Sequence, residues 1–113
     1  MDNSTIALLI FTSVGLMEII LGIPLLYEKI KPNWYYGFRT SKTVNNKEIW
    51  YKCNKYVGRD LILAGIVVAI GSLFLLNIKD SFSVETIAII VMFLVTVPVI
   101  FVLIRGFLYL KKI

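Results

Sequence analysis

The sequence predicts an all-α membrane protein: three transmembrane helices, with a cytoplasmic-side amphipathic interfacial helix between the first two. Three observations predict it. Residues 5–27, 61–78 and 86–104 are long apolar runs, the last two without any charge and the first with one, Glu18. The 113 residues are 58% hydrophobic and 17% charged, against about 25% charged in soluble domains. Lysine and arginine crowd into one connection, between the first two runs. A single integral membrane domain over residues 1–113 follows.

Each run is long enough to cross a hydrocarbon core of about 30 Å. In lipid the backbone must satisfy its own amides and carbonyls, so the runs are read as helices; a barrel needs many alternating segments, which are missing. The first run follows MDNS, with an acidic side chain and no basic n-region. It is therefore expected to stay as a transmembrane helix and not to be cleaved as a signal. In the third, Pro98 leaves the Leu94 carbonyl without its helical donor, which either kinks the helix or is tolerated, as membrane prolines commonly are.

The connection 28–60 carries Lys29, Lys31, Arg39, Lys42, Lys47, Lys52, Lys55 and Arg59, whereas the second connection has Lys79 beside Asp80 and Glu85. The C-terminal end adds Arg105, Lys111 and Lys112. The positive-inside rule makes this a multi-pass cell-membrane protein with the long connection and C-terminus in the cytoplasm and the N-terminus outside. The net charge of +5 suits contact with an anionic bilayer or an acidic partner. Nucleic acid is not an expected partner for lysines pinned beside membrane helices.

Composition also narrows the chemistry. There is no histidine, and the one cysteine, Cys53, cannot form an internal disulfide. No metal-ligand spacing, phosphate-binding glycine loop or nucleophile–base pair is present. The expectation is a non-enzymatic protein with no catalytic residues, no metal and no cofactor.

Residues 28–60 divide in two. In KPNWYYGFRTSKT, Pro32 favours ending the preceding helix and Gly37 offers backbone freedom. Trp34, Tyr35, Tyr36 and Phe38 suit the headgroup level, while Arg39 and Thr40 could instead line a polar pocket. From Asn45 onward the pattern is amphipathic, with Asn45 as N-cap and Glu48 three residues on. Ile49, Trp50, Cys53, Tyr56 and Val57 fall on one arc, and Glu48, Lys52, Lys55 and Arg59 on the other. A helix lying in the inner interface fits this, with Gly58 letting the chain turn into the second span. The alternative is one helix continuous with that span.

Glu18 is costly at membrane depth and needs a partner or a function. Arg105 is the nearest structural partner by depth, with Arg39 or Arg59 as alternatives. Gly15, Glu18 and Gly22 share one helix face, as do Gly65, Ala69 and Ser72 in the second span. The first face admits a neighbouring helix or leaves room for water or ligand, and the second serves packing within the chain or a homodimer.

The ordered set Pro32, Asn33, Gly37, Phe38, Arg39, Thr40, Thr43, Trp50, Asn54 and Gly58 resembles the SdpI-like family of bacterial toxin-immunity membrane proteins, in a minimal stand-alone form. The resemblance implies immunity to a secreted, membrane-active peptide toxin. Some members also look like receptors that recruit a cytoplasmic regulator. Together with the three spans, it leads us to expect a polar binding site at the cytoplasmic leaflet. Its expected members are Glu18, Asn33, Gly37, Arg39, Thr40, Thr43, Trp50, Asn54, Arg59 and Arg105. Two other readings stay open. One is a dimeric proton-coupled exporter of small molecules using Glu18. The other is a membrane sensor or adaptor that recruits a soluble regulator through Lys52, Lys55 and Arg59.

Overall fold

The computed structural model describes residues 1–113. Helix α1 (Asn3–Leu26) is followed by a long loop, the single-turn α2 (Ser41–Val44), the long α3 (Lys47–Ile78), a 3-10 turn (Lys79–Ser81) and α4 (Val84–Lys112). There are no strands. α1, α3 with its following turn, and α4 are each long and apolar enough to cross a membrane. Large apolar side chains such as Ile20, Ile70, Phe74, Phe93 and Phe101 stand exposed around the bundle, as lipid-facing positions should.

α3 is the central helix, packed along both α1 and α4, whereas α1 and α4 touch little. Small residues bring α1 and α3 together. A Cβ on Gly15 would lie 2.6 Å from both the Ala69 nitrogen and the Gly65 oxygen, and one on Gly22 would lie 2.7 Å from the Gly58 oxygen. The two backbones are therefore in direct contact at two levels, which is how dispersion holds helices together where lipid removes the hydrophobic drive. Gly65, Ala69 and Ser72 are all buried, so this face serves packing within the chain.

The separate interfacial helix is not observed. Residues 47–60 run without a break into the second span as α3, 32 residues in all. The reason is a partner that the sequence pattern does not name. α4 continues past residue 104 to Lys112, and the preceding loop folds back, so together they cover the apolar arc. Phe38, Cys53, Val57, Val102 and Leu110 form one buried cluster there, with Ile49 packed against it. Gly58 therefore faces the α1 backbone and is not a hinge. The N-cap also shifts by one residue: Asn46, not Asn45, accepts from the Ile49 amide, at 3.1 Å. Glu48 is exposed and pairs with Lys52 at 3.2 Å.

A second cluster, Leu8, Leu75, Ile87 and Val91, fills the opposite end. There Asp2 caps α1 by accepting from the Thr5 amide at 2.7 Å and from the Lys79 ammonium at 2.9 Å. The two bonds tie the start of α1 to the turn between α3 and α4.

Candidate functional site

The site begins where α1 stops. Glu28 has a left-handed φ of 58°, and the Lys29 amide reaches back to the Pro24 carbonyl at 2.9 Å while the Glu28 amide reaches Leu25 at 3.2 Å. This is a Schellman termination, with glutamate where glycine is usual. It turns the chain back over the end of the bundle.

The loop is then fixed by the side chains of the motif. Asn33 accepts from the amides of Tyr35 at 2.9 Å and Tyr36 at 2.6 Å, and donates to the Lys31 carbonyl at 2.6 Å. Trp50 and Asn54, one turn apart on α3, reach into the loop from below. The Trp50 indole donates to the Ile30 carbonyl at 2.7 Å, and Asn54 Oδ1 accepts from the Phe38 amide at 2.6 Å. The Asn54 amide group donates in turn to the Trp50 carbonyl at 3.0 Å. Thr40 and Thr43 form a reciprocal capping box around α2, and the Thr43 hydroxyl also donates to the Phe38 carbonyl at 2.9 Å. Both backbone groups of Phe38 are thus held, and its ring wedges beside Gly106 and edge-on to Phe107 with centroids 4.9 Å apart. Lys42 closes the assembly by donating to the Leu110 carbonyl at the C-terminal end of α4, at 2.7 Å.

Most of the expected site residues therefore turn inward. Asn33, Gly37, Thr40, Thr43, Trp50 and Asn54 are brought together, and the side-chain polar groups among them bond to the loop, the single-turn α2 and the first turns of α3. Phe38, read from sequence as part of a headgroup anchor, is buried, while Trp34 and Tyr35 are exposed. Arg39 is exposed at the loop edge and spends one bond on the Trp34 carbonyl, at 2.9 Å. Its remaining donors have no hydrogen-bond partner within the chain.

Beneath this frame is a cleft of about 520 Å³ between α1 and α4, lined by Leu21, Leu25, Phe38, Val99 and Leu103 among others. Tyr35, Tyr36, Gly37 and Phe38 border it from the loop. Tyr36 is held there by its hydroxyl, which donates to the Leu21 carbonyl. Burial pushes the pKa of that hydroxyl upward, keeping it a donor. Apart from Gly37, the cleft lining is hydrophobic. Leu21 and Leu103 are themselves exposed on the outer surface, so the cleft opens sideways.

Glu18 shares a helix face with Leu21 and Leu25 by its 3 and 7 spacing, and sits one turn deeper than Leu21. One of its carboxylate oxygens is buried without a hydrogen-bond partner. The expected pairing with Arg105 is not formed. Arg105 Nε instead donates to Asp60 at 2.6 Å, and Arg59 lies 3.5 Å from the other Asp60 oxygen. Arg59 and Arg105 are therefore separate from the loop frame and belong to a cluster on the α3–α4 flank. Sequence reasoning missed Asp60 because it falls at the edge of the apolar run; a lone acid between Arg59 and 18 uncharged residues was the available signal.

Fold and site define a small multi-span helical membrane protein whose connecting loop is locked back over one end of the bundle. The chain belongs to the SdpI/YfhL protein family, whose model matches residues 29–105. That match takes in the loop, α2, α3 and α4 as far as Arg105; α1, with Glu18, lies outside it. No curated protein and no solved structure matches the chain. Family membership and the three span-like helices fit an immunity-type membrane protein, and the family is not a known enzyme family.

Proposed function

We propose that the chain protects its host from a secreted, membrane-active peptide toxin by receiving an apolar segment of that toxin in the loop-capped cleft. The observation that carries this reading is what the motif residues do. Asn33, Gly37, Thr43, Trp50 and Asn54 build a rigid rim, and the space beside that rim is an apolar cleft opening toward lipid. A membrane-inserted peptide could enter such a cleft laterally without crossing water. Trp34, Tyr35 and Arg39, exposed on the same loop, offer aromatic and guanidinium contacts to its polar end. The lysine and arginine asymmetry supports a cytoplasmic location for this end, so the toxin is met in the inner leaflet.

Deleting the chain from its native host and challenging the cells with that host's concentrated spent medium tests the reading. Loss of membrane potential and viability is expected, restored by the wild-type chain and not by Val99→Trp, which fills the cleft. A deletion strain as resistant as its parent would reject it.

The buried, unpartnered oxygen of Glu18 favours a second reading, proton-coupled export. In reconstituted vesicles this requires cation uptake driven by a proton gradient and abolished by Glu18→Gln. Gradient-independent uptake would exclude it.

A further inference from the structure

A second cleft, of about 490 Å³, runs between α3 and α4 on the other flank of Val102, which borders both. Arg59, Asp60 and Arg105 stand at one end of it; Leu63, Val67, Val97 and Phe101 line the rest. We propose that this cleft holds an anionic phospholipid, with its phosphate at Arg59 and Arg105 and one acyl chain along the α3–α4 groove.

Charge comes first. Two guanidiniums share one carboxylate, so the cluster keeps a surplus positive charge. Arg105 reaches Asp60 through Nε, which leaves its two terminal nitrogens without a hydrogen-bond partner. A planar guanidinium with free terminal donors suits a phosphate oxygen pair. Depth agrees with charge. Arg59 and Asp60 immediately precede the uncharged run 61–78, and Arg105 immediately follows the run 86–104. The cluster thus lies at the edge of the apolar belt, where lipid phosphates reside, and basic pockets between membrane helices bind such headgroups. The donors are also held in place. Both guanidinium carbons lie 5.1 Å from the Tyr56 ring centroid, and Tyr56 stacks on Tyr109 at 4.2 Å. The Asp60 side chain, 8% exposed, fixes Arg105 from within. An ordered cationic head continuous with an apolar groove has the polarity pattern of an anionic lipid.

Native mass spectrometry of the full chain tests this, in micelles offered equimolar phosphatidylglycerol and phosphatidylcholine with identical acyl chains. Arg59→Gln is the informative variant, because its side chain is 53% exposed; losing Arg105 would strand the buried Asp60 carboxylate. Wild type is expected to retain phosphatidylglycerol about tenfold over phosphatidylcholine, and Arg59→Gln to lose about tenfold in that retention. Lys111→Gln, which removes the same charge elsewhere at this end, should leave retention unchanged. Val67→Trp, which fills the groove, should lower it. Millimolar inorganic phosphate should not displace the lipid. Equal retention of the two lipids, equal losses for Arg59→Gln and Lys111→Gln, indifference to Val67→Trp, or displacement by free phosphate would each overturn the proposal.

Discussion

Gly37 is the residue on which the loop turns. Its φ of +123° is a conformation that side-chain-bearing residues rarely adopt, and an added Cβ would lie 2.7 Å from Asn54 Oδ1 and 3.0 Å from the Trp50 ring. Gly37→Ala therefore carries both strain and a clash with the two side chains that hold the loop. A loss of about 1–3 kcal/mol is expected, read as a lower unfolding midpoint in detergent. Asn54→Leu attacks the same point differently. It keeps the branched outline of the side chain but removes the acceptor of the buried Phe38 amide, for an expected cost of about 1–3 kcal/mol, checked by the same melt and by faster hydrogen exchange at Phe38. These residues were visible in the sequence as a motif, yet their direction was not. A Trp and an Asn four apart must share a helix face, but that their polar atoms end on the Ile30 carbonyl and the Phe38 amide depends on a loop folding back 16 to 20 residues. Such backbone partners leave no pattern in side-chain identity. Asp60 was hidden likewise, because its partner Arg105 is 45 residues away.

At the scale of elements, the apolar runs located all three spans, and hydrophobicity erred only at their ends. α3 begins 14 residues before its apolar run at Leu61, and α4 continues eight residues beyond residue 104. Amphipathic periodicity tells that one face of 47–60 is covered, without telling whether lipid or protein covers it. Here protein does, and the helix continues straight because α4 and the loop extend alongside. Gly58 measures this difference. In an exposed helix interior, Gly→Ala stabilises by about 1 kcal/mol. In α3 a Cβ at Gly58 would lie 2.8 Å from both the Gly22 oxygen and the Leu26 nitrogen, backbone atoms that have no rotamer to yield. Gly58→Ala is thus expected to reverse the usual sign and cost about 1–3 kcal/mol by overpacking. A thermal melt beside that of Gly71→Ala, whose nearest neighbour is the flexible Leu94 side chain, checks the argument. A Gly58→Ala protein more stable than wild type would mean that α1 and α3 are not in backbone contact.

For the whole molecule, a bundle 50 Å long carries its positive charge at the loop end and a small ionic clasp at the other. Oriented with the loop inside, a cysteine at Lys31 should react with an impermeant maleimide only in inverted vesicles, and one at Asp80 only in intact cells. Cys53, fully buried, stays silent in both. Reversed labelling would invert the topology and move the cleft to the outer leaflet. The clasp makes the two ends respond differently to acid. The hydrogen bond from Lys79, followed by those from Thr5, holds the Asp2 carboxyl well below the ordinary carboxylate range. A carboxyl whose pKa is depressed on folding contributes stability above its unfolded value, near 4, and loses that contribution progressively as pH falls from there toward the folded value. The Trp50–Asn54 frame is instead built from uncharged amide, indole and hydroxyl bonds. Acidification through pH 4 should therefore loosen the first turn of α1 before the Trp50–Asn54 frame. Hydrogen exchange in nanodiscs, corrected for intrinsic rates, should show protection falling at Thr5 and Ile6 while Phe38 stays protected. Asp2→Asn should remove the pH dependence by weakening the clasp at every pH. If Thr5 in wild type and in Asp2→Asn loses protection in parallel as pH falls, the clasp does not set the stability of this end.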